Sequence, residues 1–254
     1  MSQNRLTAEV IRKWPRGTSL LALTAYDYSM ARMMDEAGVD ILHVGDTLGM
    51  VVLGYPDTTS VSMEDMLRAT EAVARGRKHA LITADLPIAS YDTPEMAVRN
   101  ASRLITAGAD AVKLEGGREI LSQIQAMRAE GIEVQGHLGM LPQHVVEEGG
   151  YKRKGKTSDE ADRLLGDALA LEREGAFSIV LELVVSEVAE RITSSLKIPT
   201  IGIGSGTKTV GQVQVSNDVF GMYPWFVPAH AKQVLRMDQL LPRAIHDLRQ
   251  KFSG

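Results

Sequence analysis

EAGVDILHVGD, residues 36–46, decides the fold, because the same pattern returns three more times along the chain. Each copy passes from an amphipathic stretch through Ala-Gly or Glu-Gly into a short apolar run, as in residues 106–116 (TAGADAVKLEG), 129–139 (AEGIEVQGHLG) and 173–183 (REGAFSIVLEL). A left-handed glycine ends a helix at little cost, and a short apolar run is typical of a strand buried in a parallel sheet. The pattern therefore predicts repeated helix–strand units.

The number of these units favours a barrel. Candidate strands lie at residues 19–26, 41–46, 80–85, 111–115, 133–137, 178–183, 199–204 and 212–216. Candidate helices lie between and after them, at residues 29–37, 62–75, 94–107, 118–130, 158–174, 186–196 and 229–236. Eight strands is the number that a parallel (βα)8 TIM barrel needs. An open doubly wound sheet is the alternative, since periodicity alone does not exclude it.

The chain is expected to form one domain over residues 1–254, because no stretch resembles an interdomain linker. The longest irregular segment, residues 149–157 (GGYKRKGKT), is glycine-rich and basic and is predicted to be a mobile loop. Helical extensions at residues 7–14 and 238–252 are expected to cap the bottom of the barrel or to mediate assembly.

Composition excludes several function classes. The 28 Lys and Arg against 32 Asp and Glu give a net charge of −4, which argues against a nucleic-acid partner. The absence of cysteine removes disulfides, thiolate nucleophiles and Cys-ligated zinc. The first residues lack the apolar core of a signal peptide, and no run approaches the roughly 18 apolar residues of a membrane span. We therefore expect a soluble, cytoplasmic protein with no membrane partner.

Acidic residues end several of the predicted strands. Asp46 ends the second strand, Asp85 the third and Glu115 the fourth, and Glu182 lies near the end of the sixth. In a βα barrel these ends converge on one mouth, where four carboxylates repel each other unless a cation or protons share the site. A single strand-end Asp is more often a helix cap, but four predict a shared site. Oxygen donors without cysteine favour Mg²⁺ or a similar ion.

Two further polar residues belong to the same predicted mouth. Lys113 lies two residues before Glu115 and therefore shares its face of the strand. It either neutralises the carboxylates and holds a substrate carboxylate or enolate, or forms a structural ion pair with Glu115. His137 ends the fifth strand and is the one histidine placed at the mouth. The other histidines share no ligand spacing and are predicted to be structural, at positions 43, 79, 144, 230 and 246.

The glycine string IGIGSG, residues 201–206, is not a dinucleotide-binding loop, because its last glycine arrives one residue early. Two interpretations stay open: room for a substrate or phosphate at the barrel mouth, and tight strand-turn geometry. Residues 152–156 also have two interpretations. They form a solvated basic face, or they attract a polyanionic cosubstrate such as a folate with its glutamate tail.

A series of sequence blocks carries a family resemblance. In chain order these are TAYDYS, VGDTLGM, ADLP, VKLEGG, GHLGMLPQ, GGYK, DALALEREGA and IGIGSG. In this order and spacing they resemble the ketopantoate hydroxymethyltransferase family, from about residue 18 to about residue 235. The resemblance implies a barrel of the phosphoenolpyruvate mutase/isocitrate lyase type and large homo-oligomers, typically decamers. It also implies hydroxymethyl transfer from 5,10-methylenetetrahydrofolate to 3-methyl-2-oxobutanoate, a small 2-oxo acid, in pantothenate synthesis.

The resemblance implies a metal site as well. Asp46 and Asp85 match direct Mg²⁺ ligands that also contact the substrate, and Glu115 matches a residue in or near the coordination shell. Such an ion would chelate the keto oxygen and one carboxylate oxygen of the 2-oxo acid, and so acidify the adjacent C–H and hold the enolate. Mn²⁺ and Co²⁺ remain alternative ions.

The remaining roles concern the base and the substrate. Glu182 matches the family's catalytic base, which removes the proton before the enolate attacks the methylene carbon from the folate. Thr47 matches a serine that contacts the substrate carboxylate, and Lys113 and His137 match residues that line the substrate.

The chain departs from the family near the last strands. Ser205 replaces the usual Ala, Val210 the usual Asp and Asn217 the usual His, and LVV after Glu182 replaces Cys-Val-Pro. The proposed metal ligands and base are retained. Three alternatives therefore stay open: a divergent paralogue acting on another 2-oxo acid, an isocitrate-lyase-type lyase, whose usual Cys acid is absent here, and a catalytically silent oligomeric scaffold.

Overall fold

Parallel strands close into a barrel in the computed structural model, which describes residues 5–225 and 227–252. Hydrogen-bonded neighbours follow chain order from the first strand to the eighth, so the barrel is confirmed and the open sheet is excluded. The strands are β1 (Leu20–Thr24), β2 (Ile41–Val44), β3 (Leu81–Asp85), β4 (Ala111–Glu115), β5 (Glu133–Gly139), β6 (Ser178–Glu182), β7 (Thr200–Ile203) and β8 (Gly211–Gln214).

The helices follow the predicted alternation, and several begin at side-chain caps. Ser62 and Asp65 form a capping box at the start of α4, and Thr93 and Thr157 accept hydrogen bonds from the first turns of α5 and α7. The helices are α1 (Ala8–Arg12), α2 (Tyr28–Glu36), α3 (Leu48–Val51), α4 (Met63–Gly76), α5 (Pro94–Thr106), α6 (Leu121–Ala129), α7 (Ser158–Arg173), α8 (Ser186–Ser195), α9 (Ser216–Val219) and α10 (Met237–Lys251).

One predicted helix is wrong. Residues 229–236 form turns and irregular backbone. The Val234 and Leu235 amides donate to the carbonyl oxygen of Val219, at 2.8 and 3.3 Å, in place of the bonds that a helix would form along its own axis. The short helices α3 and α9 were not predicted, because four residues are too few to show a helical period.

The N-terminal helix packs against the barrel interior. Ala8 and Ile11 of α1 are buried in one apolar cluster with Leu20, Ile41 and other residues of the barrel strands. Leu6 and Trp14 pack against the same cluster. The extension over residues 7–14 therefore caps the barrel end at which the strands begin.

The chain divides into two compact units, Met1–Val213 and Gln214–Gly254. In the second unit α10 buries none of its residues, and Leu240, Leu241 and Ile245 are exposed. The expectation of a single domain stays a prediction. Among the described residues, no helix combines the length and the apolar character that crossing a bilayer requires.

Candidate active site

Strand register brings the predicted site residues together. Parallel neighbours that lie side by side point to the same face of the sheet. Three such neighbouring pairs stand at the carboxyl ends of β3 to β6, namely Asp85 with Lys113, Glu115 with His137, and Gly139 with Glu182. The candidate catalytic residues therefore lie on adjacent strands, as the strand-end pattern predicts.

Lys113 connects Asp85 to His137. Its buried ammonium nitrogen Nζ is 3.0 Å from Asp85 Oδ1 and 3.1 Å from His137 Nδ1. An ammonium group only donates, so Nδ1 accepts and the ring proton belongs on Nε2. Burial and the Lys113 charge both lower the pKa of His137, which keeps the ring neutral. The imidazole therefore directs an N–H group away from Lys113.

That N–H group lies beside Glu182, at a contact distance but without hydrogen-bond geometry. His137 Nε2 is 3.3 Å from Glu182 Oε2, and the Glu182 side chain is only 13% exposed. Burial raises the pKa of Glu182, while His137 opposes the rise. A raised pKa makes the ionised carboxylate a stronger base near neutral pH. Glu182 is thus a buried carboxylate of raised pKa, suited to removing a proton.

Gln143 holds two of the other carboxylates. Its backbone N–H donates to Glu115 Oε2 at 3.1 Å, and its side-chain Nε2 donates to Asp46 Oδ2 at 2.8 Å and to the Leu86 carbonyl oxygen at 2.9 Å. The Tyr91 hydroxyl donates to Gln143 Oε1 at 2.6 Å. The Leu86 carbonyl oxygen can only accept, so the amide nitrogen of Gln143 must face it and the amide has one possible orientation. Gln143 therefore fixes Asp46 relative to Glu115.

The site brings more acidic groups than basic groups together, and this shifts the pKa values of its carboxyl groups. Burial raises the pKa of Asp46, and the Asp85 and Glu115 charges raise it further. Burial raises the pKa of Glu115 to about 7 although Lys113 opposes it. Burial also disfavours ionised Asp85, but Lys113 and His43 outweigh it and hold that pKa well below its usual range. One ammonium group faces several carboxylates, so the site favours an added cation.

The donor set fits a hard divalent cation in its chemistry. Asp46, Asp85 and Glu115 supply buried carboxylate oxygens. Over residues 5–225 and 227–252, however, no three His, Asp or Glu side chains are already arranged to hold a metal ion. Asp46 accepts from Gln143 and Asp85 faces Lys113. A cation would therefore compete with these donors for the carboxylates.

Thr47 lies next to Asp46 at the same end of the barrel. Its half-buried hydroxyl is 2.7 Å from the Tyr26 hydroxyl, on the loop after β1. The backbone N–H of Asp46 donates to Asp85 Oδ2 at 3.0 Å, which ties this turn to β3. Thr47 thus stands where a contact with substrate is feasible, and its role stays a prediction.

Sequence reasoning left out residues that support these carboxylates. His43, which was predicted to be structural, has Nε2 3.4 Å from Asp85 Oδ1 and Nδ1 2.7 Å from Thr83 Oγ1. The pairing of β2 with β3 could have indicated this contact. It places His43 beside Thr83, and Thr83 lies two residues before Asp85 on the same face of β3. Gln143 lies in a three-residue 3-10 helix, Pro142–His144, and Tyr91 in the loop after β3, and both segments are too short or too irregular for periodicity to carry such a signal.

The basic segment 149–157 is tied to the strand that carries Glu182. The Lys154 N–H donates to the Leu183 carbonyl oxygen at 2.8 Å, and the Val185 N–H donates to the Lys154 carbonyl oxygen at 2.9 Å. Tyr151 of this segment has its hydroxyl 3.9 Å from the sulfur of Met50, which follows β2. Burial and the Glu182 charge raise the pKa of Tyr151. The segment therefore extends across the site from β6 towards α3.

The glycine string 201–206 forms a tight turn. Gly204 and Gly206 have φ angles of +64° and +82°, and a Cβ on Gly206 would lie 2.1 Å from Ser186 Oγ. These positions require glycine for backbone geometry and close packing. The structure therefore supports the tight-turn interpretation of this motif.

Comparisons with known proteins agree with this geometry. The family model of ketopantoate hydroxymethyltransferase matches residues 5–253. A 3-methyl-2-oxobutanoate hydroxymethyltransferase of Ignicoccus hospitalis is 49% identical over 93% of this chain and 90% of its own. The Syntrophus aciditrophicus protein of that name is 50% identical over 95% and 90%. The solved 2,3-dimethylmalate lyase, a PEP mutase/isocitrate lyase superfamily member, has a TM-score of 0.58 at 19% identity, covers 98% and 87% of the two chains, and shows the fold alone.

Proposed function

The chain belongs to the ketopantoate hydroxymethyltransferase family, and we propose that it transfers a hydroxymethyl group from 5,10-methylenetetrahydrofolate to C3 of 3-methyl-2-oxobutanoate with Mg²⁺ bound. It is an enzyme of pantothenate biosynthesis. The observation that carries the substrate-level proposal is the Glu182 carboxylate, whose Oε2 lies 3.3 Å from Nε2 of a neutral His137, beside three buried carboxylates. Such an arrangement suits proton removal next to a carbonyl group.

Glu182 would start the reaction by taking the C3 proton of the 2-oxo acid. The electron pair of the C3–H bond forms the C2–C3 double bond, and the keto oxygen gains the negative charge. Because His137 is neutral, it lies 3.3 Å from Glu182 without discharging the carboxylate. Burial raises the pKa of Glu182, which strengthens it as a base.

The negative charge on the substrate needs positive partners. The Lys113 ammonium lies between Asp85 and His137 and can stabilise an enolate oxygen or a carboxylate. Asp46 and Asp85, with Glu115 beside them, would hold Mg²⁺, which would act as a Lewis acid on the keto oxygen. Thr47 is placed to donate a hydroxyl hydrogen bond to the substrate carboxylate.

Carbon–carbon bond formation would complete the transfer. C3 of the enolate attacks the one-carbon methylene of the folate, and the bonds from that carbon to the folate nitrogens are replaced by one bond to C3 and one to a hydroxyl from water. The products are 2-dehydropantoate and tetrahydrofolate: the water supplies the hydroxyl group and one proton, and this proton together with the one taken by Glu182 protonates the two folate nitrogens. Atoms therefore balance with one water consumed.

The test of the proposed function is proton NMR of 3-methyl-2-oxobutanoate in D₂O with enzyme and Mg²⁺, with and without 5,10-methylenetetrahydrofolate. Metal-dependent C3 deuteration together with 2-dehydropantoate supports the whole proposal. Deuteration without product supports the enolising site and rejects the folate donor. If neither deuteration nor product is detected, the proposed substrate is rejected, and another 2-oxo acid or a catalytically silent scaffold is favoured. Decameric assembly and a cytoplasmic location stay predictions.

The basic segment 149–157 suggests how a folate would be attracted. The Lys152 and Lys154 ammonium groups contact Glu148, through its backbone carbonyl and its carboxylate respectively. Arg153 and Lys156 are exposed and lie on the same segment, next to the Glu182 strand end. Their charges are therefore placed to meet an anionic glutamate tail.

We expect the double substitution Arg153→Ala, Lys156→Ala to raise the KM for a polyglutamyl folate roughly fivefold at low salt. Two exposed charge pairs together contribute about 1 kcal/mol, and salt screens them. The KM for the monoglutamyl form should change less than about twofold, because it lacks most of the tail charge. Initial rates with both folates at two salt concentrations measure the effect. The control is Arg173→Ala, Lys197→Ala, exposed charges at the other end of the barrel; equal effects of both double variants would reject the tail contact.

Gln143 offers a test of the metal-site geometry. Gln143→Leu removes the donor to Asp46 and the acceptor for Tyr91, and we expect Mg²⁺ affinity to fall about 10- to 100-fold, as is typical when a partner of a metal ligand is lost. Calorimetric titration of the protein with Mg²⁺ measures this. Gln135→Leu is the matched control, because Gln135 on β5 is equally buried but donates to Ser178, the first residue of β6, and to none of the carboxylates. Unchanged affinity in Gln143→Leu would contradict the assignment.

A further inference from the structure

Tyr151 reaches across the mouth of the barrel. Its hydroxyl lies 3.9 Å from the sulfur of Met50, although Tyr151 follows β5 and Met50 follows β2. Met50 belongs to α3, whose first turn comes directly after Asp46 and Thr47. The Tyr151 side chain therefore extends to the part of the mouth where the metal and the substrate carboxylate are proposed to bind.

The backbone that carries Tyr151 is held close to Glu182. The Lys154 N–H donates to the Leu183 carbonyl oxygen at 2.8 Å, and the Lys154 carbonyl oxygen accepts from the Val185 N–H at 2.9 Å. These two bonds pair the basic segment with the residues directly after the proposed base. Tyr151 thus starts near Glu182 and ends near α3.

Glycines on both sides of Tyr151 give this segment its path. Gly150 and Gly155 have φ angles of +111° and +78°, a region open to glycine and strained for other residues. Between them, the Lys152 N–H lies 3.4 Å from the sulfur of Met140. The backbone around Tyr151 is therefore held at several points, and the ring projects from a defined position.

The hydroxyl end of Tyr151 lies near the carboxylates of the site. Tyr151 is 46% exposed, yet burial of its hydroxyl raises its pKa, and the Glu182 and Asp46 charges raise it further. Because the interaction with a charge weakens with distance, both carboxylates lie close to this hydroxyl. The side chain therefore stands between solvent and the space that Glu182 and Asp46 share.

An enolate formed in that space has two competing reactions. Its C3 can take up a proton, which restores the 2-oxo acid, or it can attack the folate methylene, which forms the product. Solvent supplies protons to the first reaction, both directly and by exchange with the proton held on Glu182. Excluding water from a reactive intermediate suppresses side reactions of this kind.

We propose that the Tyr151 ring covers the bound 2-oxo acid and keeps solvent away from its enolate, so that C3 reacts with the folate methylene in preference to a proton from water. This inference deepens the proposed function and rests on it. The ring carries the role and the hydroxyl contributes little, because the thioether that it contacts is a weak acceptor.

The test compares Tyr151→Ala with Tyr151→Phe in D₂O, with 3-methyl-2-oxobutanoate, Mg²⁺ and 5,10-methylenetetrahydrofolate. Proton NMR gives the ratio of C3-deuterated 2-oxo acid to 2-dehydropantoate. We expect this ratio to rise roughly tenfold in Tyr151→Ala, where the cover is lost, and to stay within about twofold in Tyr151→Phe, where the ring remains. Tyr28→Ala is the matched control, because Tyr28 is 43% exposed on α2 and its hydroxyl accepts from Arg32 of the same helix.

Exchange without folate supplies a second measurement, which a structural defect would move in the opposite direction. Without the ring, the proton on Glu182 exchanges with D₂O more readily before it returns to C3. We therefore expect C3 deuteration in Tyr151→Ala to be at least as fast as in the unsubstituted protein. A distorted site would deuterate C3 more slowly.

Several results would overturn the inference. An unchanged ratio in Tyr151→Ala, or an equal rise in Tyr28→Ala, rejects the cover. An equal rise in Tyr151→Phe assigns the role to the hydroxyl, and a change confined to the KM for the folate makes Tyr151 a folate contact. Slower exchange without folate in Tyr151→Ala shows a structural role.

The unsubstituted protein separates this inference from the proposed function. If it gives neither deuteration nor product, the proposed function fails and the inference is rejected with it. If it gives both signals while Tyr151→Ala keeps the same ratio, the proposed function stands and only the role of Tyr151 is rejected.

Discussion

Glu182→Gln is expected to slow C3 deuteration of 3-methyl-2-oxobutanoate by roughly 10³-fold, since a positioned general base contributes about 10²- to 10⁴-fold. The amide keeps the size of the side chain and removes its ability to accept the substrate proton. Mg²⁺ affinity should stay within about threefold, because Glu182 lies against His137 and is not among the proposed ligands. Proton NMR in D₂O measures the exchange rate, and calorimetry measures the metal.

The pH dependence of the unsubstituted protein provides the matching measurement. Burial raises the pKa of Glu182, so its carboxylate is protonated, and unable to act as a base, at a higher pH than an exposed carboxylate would be. We expect the exchange rate to fall as pH decreases through that raised pKa. A rate that stays constant to the pKa of an ordinary glutamate, or full activity in Glu182→Gln, would show that another group removes the proton.

Asp46→Ala is expected to weaken Mg²⁺ binding by at least about 100-fold and to abolish metal-dependent exchange. The substitution removes a proposed direct ligand, which should cost more than the 10- to 100-fold typical of a supporting partner such as Gln143. It also leaves the Gln143 side-chain amide without one of its acceptors. Titration with Mg²⁺ and with Mn²⁺, followed by exchange assays at saturating metal, measures both effects.

The two substitutions control each other. Glu182→Gln should keep the metal and lose exchange, whereas Asp46→Ala should lose both. If Asp46→Ala binds Mg²⁺ with unchanged affinity, the ion does not bind at these carboxylates. If it loses the metal but exchanges at the full rate, the metal takes no part in enolisation, and Lys113 alone would have to stabilise the negative charge.

Much of the fold could be predicted from the local pattern of apolar residues and glycines. The copies of helix, glycine and apolar run predicted the βα units, and β4 was predicted with its observed limits, Ala111–Glu115. The predicted helix at residues 229–236 failed because its amides bond to Val219, a contact between residues distant in the sequence. Periodicity reports which face of a segment is apolar and carries no information on such a partner.

The candidate site shows the same division. The position of Asp46, Asp85, Glu115 and Glu182 at strand ends was visible in the sequence, because parallel strands bring their carboxyl ends to one side and apolar runs mark where each strand stops. Their interactions were not visible, since hydrogen bonds depend on angles and distances between separate strands and loops.

The sequence by itself therefore determined the repeated βα units, the carboxylates at the strand ends and the family, whereas closure into a barrel was decided by the structure. The tertiary structure decided which groups act on one another: the Lys113 contact that sets the His137 proton, and the Gln143 amide that joins two carboxylates. The physical reason is that periodic burial is encoded locally along the chain. A proton position or a bridging hydrogen bond, by contrast, is defined only when residues far apart in sequence are brought within about 3 Å.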